Sequence, residues 1–308
     1  MCTLFNKALR NARFLSFFDV AFDILRMSLR RILKPTGAFN KVKCVKDGNE
    51  TIRDFGRQWS IFRDNEGFYG SMELFSDILS PFISADEIRG CRVAEIGSGT
   101  GRIVNMLLEA GAKHVVALEP SDAFEVLCRN IKQPEKASCL KMTGDQLPAD
   151  GDLDYIFSIG VLHHIPDPKP VIEAAFRALR PGGRFLVWLY GKEGNALYFA
   201  MLTPLRVLTK RLPHFALSVL ARIACWSLLF YTKLCHRLSL PLQEYMVAVF
   251  EKMSPEKRRL IIYDQLNPSY SKYYTQREAE NLLIDGKFEN VRTHHRHGYS
   301  WTVIGTKP

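Results

Sequence analysis

Seven cysteines (Cys2, Cys44, Cys91, Cys128, Cys139, Cys225 and Cys235) form no Cys-x-x-Cys pair, and their number is odd. Free thiols in a reducing cytosol are therefore expected. A membrane-spanning run is missing as well. Residues 215–231 are apolar for 17 positions except for Arg222 and small polar groups, whereas a span takes about 20 apolar residues without a central charge. Spanning would also strand the last two expected strands away from the sheet they complete. No signal-peptide pattern is found: Asp19 and Asp23 interrupt the first apolar stretch, and no small-residue cleavage site follows. Acids are scarce in two segments. Residues 1–34 carry seven bases and two acids, residues 192–243 carry seven bases and one acid, and the other 222 residues sum to −1 of the total +10. Both basic segments are rich in large apolar residues, unlike a generally basic nucleic-acid binder.

The 308 residues are 47% hydrophobic and 24% charged, which is enough to bury a core of one ordinary domain with decoration. The most informative stretch is Val93-Ala94-Glu95-Ile96-Gly97-Ser98-Gly99-Thr100-Gly101-Arg102, followed by the amphipathic run 103–110. It reads as a strand, a tight turn and a helix start. Side chains in the turn would hold the backbone away from a ligand, and the amides of the new helix would point at an anionic group. The spacing is G-x-G-x-G with Arg102 next, not the dinucleotide G-x-G-x-x-G, and the P-loop lysine and hydroxyl are absent. A second short strand ends in Glu119, about 20 residues on, where an acid accepts hydrogen bonds from ribose hydroxyls.

With Gly144-Asp145, residues 155–167 and residues 179–190, this segment resembles the class I S-adenosylmethionine-dependent methyltransferases of the group that includes ubiquinone and menaquinone methyltransferases. The likeness covers residues 90–191 well and 275–308 more loosely. It implies an α/β Rossmann-like fold: a mostly parallel seven-stranded sheet with helices on both faces and an antiparallel final strand. Decorations are an N-terminal helical extension and a helical insert before the last two strands. The expected parts are an amphipathic basic helix 1–35, a linker and cap helices 36–90, a cofactor-binding core 91–191, a helical insert or lid 192–270, and a C-terminal helix with the final strands 271–308. Within the second part, residues 36–52 read as linker.

The resemblance implies S-adenosylmethionine as cofactor. Gly97, Ser98, Gly99 and Gly101 would supply the close backbone, Glu95 would help hold the methionine amino group, and Glu119 would take the ribose hydroxyls. Asp145, with Gln146 beside it, would read the adenine amine, and Gly160 would pack near the cofactor. The rule that ligands sit at the carboxyl ends of parallel strands puts Gly97, Glu119, Asp145, Gly160 and Tyr190 around one crevice. His164 is the favoured general base, with His163 and Tyr190 as the other catalytic candidates; histidine titrates near neutrality, which suits removal of a phenolic or hydroxyl proton. Trp59, Tyr69, Tyr273 and Tyr274 are candidates for binding substrate; Trp59 and Tyr69 could instead roof the methionine or adenine of the cofactor, and aromatic core or anchoring of the insert are the plainer readings. His294-His295-Arg296-His297 lacks a partner carboxylate or thiol nearby for a tetrahedral set, so no metal is expected; on a strand, 295 and 297 would share a face.

The leading expectation is O- or C-methylation of an amphipathic acceptor (quinone-like, lipid or lipid-linked sugar) by a cytoplasmic protein, peripheral on the inner membrane face through 1–34 and 192–243. The bases beside Phe and Leu suit a helix lying in the interface; helices packed on the main domain or in a homodimer are the plainer reading. Alternatives are a soluble small-molecule, sugar or RNA acceptor, or a cofactor-binding scaffold without turnover. RNA is disfavoured because Ile159-Gly160-Val161-Leu162 lacks the Asn/Asp-Pro-Pro-Tyr run of many base-methylating relatives.

Overall fold

The computed structural model describes residues 47–195, 198–200, 205, 209, 214–266 and 270–308. The expected helix 1–35 lies outside them. Helix α1 (Asp47–Ile61) starts inside the stretch that reads as linker; Gly48 and its polar neighbours mask the apolar period until Ile52 and Phe55. Helix α2 (Met72–Leu79) follows, with the Ser71 hydroxyl accepting from the Leu74 amide at its start.

Seven strands then form one sheet. β1 (Arg92–Ile96), β2 (His114–Leu118), β3 (Ala137–Leu140), β4 (Leu153–Ile159) and β5 (Leu179–Tyr190) are parallel. β6 (Glu289–Arg296) and β7 (Ser300–Thr306) are antiparallel to each other, and β7 is antiparallel to β5. The order is β3-β2-β1-β4-β5-β7-β6. Successive strands leave β1 in opposite directions, and that switch point opens a crevice above its carboxyl end. Helices α3 (Arg102–Glu109), α4 (Phe124–Asn130), α5 (Lys169–Ala178) and α8 (Gln276–Asp285) belong to this core. β4 shows why both faces are covered. Tyr155, Phe157 and Ile159 join one apolar cluster with Phe75 and Leu107, while Ile156 joins the other with Ile172 and Leu283. Side chains alternate across a strand, so an apolar run must be buried twice.

β5 pairs with β4 from its first residue, Leu179 with Leu153, before a register shift. A Cβ on Gly183 would lie 2.8 Å from the Arg180 carbonyl oxygen and 2.9 Å from that of Leu153, so only glycine fits this bend. The β6–β7 hairpin turns on His297 (φ 47°) and Gly298 (φ 68°), the two left-handed positions of a type I′ turn.

The insert contributes α6 (His214–Cys235), a turn Gln243–Tyr245, a π-turn Met246–Phe250 and α7 (Pro255–Leu266). One face of α6 is buried through Ala221, Cys225 and Cys235 against Met246, Phe250 and Ile262. Val249 and Met253 reach the main core. Among the described residues, no helix is long and apolar enough to cross a membrane.

Candidate active site

The turn after β1 carries left-handed φ at Gly97 (76°), Gly99 (52°) and Gly101 (82°). A Cβ on Gly97 would come within 2.5 Å of Val161, and one on Gly99 within 3.4 Å of the Trp59 indole nitrogen. The turn holds itself together. The Gly97 and Ser98 amides donate to the Leu118 carbonyl at 2.9 and 2.8 Å, and the Gly101 amide donates to the Ser98 carbonyl at 2.8 Å. The Gly99 amide donates to the Glu119 carboxylate at 2.8 Å. These amides therefore do not form the open anion cradle that the glycine spacing suggests, because β2 and Glu119 already accept from them.

Two acids flank the turn. The Glu119 carboxylate also accepts from the Ser121 amide at 3.0 Å and from its hydroxyl, which fixes its direction and leaves lone pairs to spare. Glu95 is 2% exposed, and its Oε2 is buried without a hydrogen-bond partner. Burial pushes its carboxyl up to about 8, with Arg102, Ser98 and the Val104 amide opposing. A buried, unmatched carboxyl beside an open pocket is the complement of a cationic group.

Above the turn lies a cavity of about 390 Å³. Its floor is Gly97–Gly99, and Glu95, Glu119, Asp145 and Gly160 reach its wall. Thr51, Ile52, Phe55 and Trp59, one turn apart on α1, form its roof. A second cavity of about 200 Å³ shares Tyr69, Arg102 and Ile159 with the first. Its walls are aromatic: Trp188 and Tyr190 have ring centroids 5.5 Å apart, and Tyr245 and Tyr299 4.5 Å. The insert closes it through Leu242, Val249 and Met253.

The family described as "Methyltransferase domain" matches residues 94–187, which run from β1 into β5. Residues 94–187 carry a methyltransferase domain. The chain is 28% identical over 116 residues to a tRNA U34 carboxymethyltransferase of Idiomarina loihiensis, covering 36% of each chain. It is also 29% identical over 168 residues to an uncharacterized methyltransferase of Mycobacteroides abscessus, covering 48% of this chain and 63% of that one. The chain thus spans between about a third and under two thirds of the length of these relatives. A solved structure, the 1,6-didemethyltoxoflavin-N1-methyltransferase of Burkholderia thailandensis, has a TM-score of 0.48 and 16% identity, covering 89% of this chain and 93% of that one.

S-adenosylmethionine, the cofactor of the methyltransferase domain, fits the residues present. The unmatched Glu95 carboxyl suits its ammonium, Glu119 its ribose, and a turn with few open amides suits a cofactor without phosphates. The other expected residues divide. Ser98, Gly101 and Gly160 sit in or beside the turn, and Asp145 and His164 line the cofactor cavity. Gln146 does not: its carbonyl oxygen accepts from the Thr143 amide and hydroxyl at 3.1 Å, a local capping box that turns it away. Trp59 belongs to the cofactor roof rather than to the second cavity, whereas Tyr69 lines both. Tyr190 and Tyr273 line the second cavity, so Tyr190 is not on the cofactor wall where the strand-end rule put it. Tyr274 is 1% exposed in the core, its amide bonded to the Tyr190 carbonyl, and it reaches neither cavity.

The two histidines of the 3-10 turn after β4 point differently. His163 is fully buried, its ring tilted against that of Tyr190 with centroids 3.9 Å apart, and lines neither cavity. Burial, then the neighbouring His164, holds it well below the ordinary histidine range. It packs in the core. His164 lines the cofactor cavity, with Nδ1 2.8 Å from the Tyr270 carbonyl, which makes Nδ1 the donor and leaves Nε2 the basic nitrogen. His295 and His297 do not share a face, because His297 is already in the turn: His295 stacks on Trp301 at 4.3 Å, and His297 bonds Asp77 at 3.0 Å. Arg296, hidden in the sequence among those histidines, lines the second cavity. So do Trp188, Tyr245 and Tyr299, which carry no motif and enter the site only by tertiary packing.

Proposed function

We propose that the chain transfers a methyl group from S-adenosylmethionine to an oxygen or carbon of an amphipathic acceptor whose head occupies the aromatic cavity. The observation that carries this is the shared wall: Tyr69, Arg102 and Ile159 bound both cavities, so an acceptor in the second lies beside the cofactor in the first. The cofactor supplies an electrophilic methyl, and catalysis is then mostly positioning. The Gln265 amide, 2.9 Å from the Tyr190 hydroxyl, ties the insert to the acceptor wall. His164 serves as the general base for an acceptor that arrives protonated.

Helix α6 supports the membrane side of this reading. Val219, Ile223, Trp226 and Phe230 lie on one face at helical spacing, with Trp226 72% and Phe230 66% exposed. Arg222, Lys233 and Arg237 are exposed beside them. Aromatics with flanking bases suit a helix lying in the interface of an anionic bilayer. RNA is the second reading, favoured by the name of the Idiomarina loihiensis relative; the region shared with it is no more than about a third of either chain.

The test is transfer of labelled methyl from S-adenosylmethionine into a host-cell extract, partitioned between organic solvent, RNA and small aqueous solutes. Organic-phase label that requires Glu119 is the expected result, and label confined to RNA or to small aqueous solutes sinks the amphipathic acceptor. In that assay His164→Ala is expected to lower turnover about 10²- to 10⁴-fold at saturating cofactor; wild-type turnover in that variant removes the base. Trp226→Ser with Phe230→Ser is expected to abolish co-sedimentation with anionic vesicles, and unchanged sedimentation would end the interfacial role of α6.

A further inference from the structure

The acceptor cavity has an electrostatic character that its aromatic wall conceals. Arg102 and Arg296 both line it, and no aspartate or glutamate does so among the described residues. Arg296 is 3% exposed. Its Nη1 donates to the Tyr299 hydroxyl at 2.8 Å, and its Nη2 donates to Asp77 on α2. Its Nε–H is buried with no hydrogen-bond partner. Arginine cannot shed its charge, so a buried N–H of this kind is costly until an acceptor meets it.

Asp77 pairs with Arg296 through Nη2 and leaves its Nε–H unmatched. It stands outside the lining and is also shared with His297 at 3.0 Å. Arg102 stacks over the Tyr69 ring at 4.3 Å, and the buried Lys257 ammonium lies over the same ring at 4.6 Å. Among the described residues, no carboxylate is in salt-bridge contact with Arg102 or Lys257. The wall of the cavity is thus aromatic on its sides and cationic at two points.

We infer that the acceptor is a planar aromatic acid, its ring held among Trp188, Tyr190 and Tyr299 and its carboxylate accepting from the spare Nε–H of Arg296. This rests on the reading of the second cavity as the acceptor site and narrows the acceptor to one chemical class. Arg296 is then a specificity-determining residue. An uncharged amide of the same size meets that donor only with a neutral carbonyl oxygen, a weaker acceptor for a guanidinium than a carboxylate.

The experiment is a titration of the full chain with benzoate and with benzamide, in the presence of S-adenosylhomocysteine and read by tryptophan fluorescence. Benzoate is expected to bind at least tenfold more tightly than benzamide. In Arg296→Gln made together with Asp77→Asn, so that neither charge is left alone, the preference is expected to vanish while S-adenosylhomocysteine binds within twofold of wild type. Equal wild-type affinities, no benzoate binding at millimolar concentration, or a preference that survives the double substitution would each overturn the assignment. The wild-type ratio decides by itself if the double variant does not fold. Since the readout is binding, its failure is separate from that of methyl transfer, which the labelled-extract assay measures.

Discussion

Replacing Gly97 with alanine is expected to weaken S-adenosylmethionine binding by at least about 30-fold. Two costs combine. The left-handed φ of 76° is unfavourable for an L-residue, by about 1–2 kcal/mol. The new methyl would also stand 2.5 Å from one Val161 methyl and 2.9 Å from the other, with the β4 loop behind them. Overpacking of that kind typically costs about 1–3 kcal/mol, and each 1.4 kcal/mol is about tenfold. Gly151→Ala is the control, because it imposes the same kind of backbone strain (φ 69°) with only an ordinary contact at 3.9 Å. Calorimetric titration of both variants checks this. If Gly97→Ala binds the cofactor like wild type, the turn is not the cofactor floor.

Glu95 is expected to give the free protein and the cofactor opposite pH responses. Burial raises its folded carboxyl from 4.5 to about 8. Between those values the folded chain keeps a proton that the unfolded chain has released. Its contribution to stability therefore falls as pH rises from about 4.5 to 8 and levels off above, by an amount on the order of a few kcal/mol. Binding a cationic amine needs the ionised form, so cofactor affinity is expected to fall as pH drops below about 8, by up to about tenfold per pH unit. Glu95→Gln should flatten both responses and bind weakly throughout. A cofactor affinity that is flat between pH 6 and 8 would remove Glu95 from the binding set.

The two predictions depend on different kinds of information. The Gly97 turn was legible because its constraint is local: a left-handed φ and a close approach to the next loop both demand glycine in a short stretch of chain. The position of Glu119 at the end of β2 was legible for a similar reason, since its distance along the chain is one helix and one strand. The unmatched Oε2 of Glu95 was not legible, because burial is set by everything packed around it.

The same division runs through the rest of the site. The alternation of strands and helices, the capping box at Thr275 and the tight turn at Gly298 follow from neighbouring residues, and so the sequence alone determined the fold class. Tertiary structure decided the orientations and partners. Gln146 accepts from its own turn, and only His164 of the histidine pair lines the crevice, because the fully buried His163 packs against Tyr190 with ring centroids 3.9 Å apart. Arg296 meets Asp77 across 219 residues of chain. Backbone preference and spacing act over a few residues, whereas the direction of a side chain depends on which distant surfaces the fold presses against it.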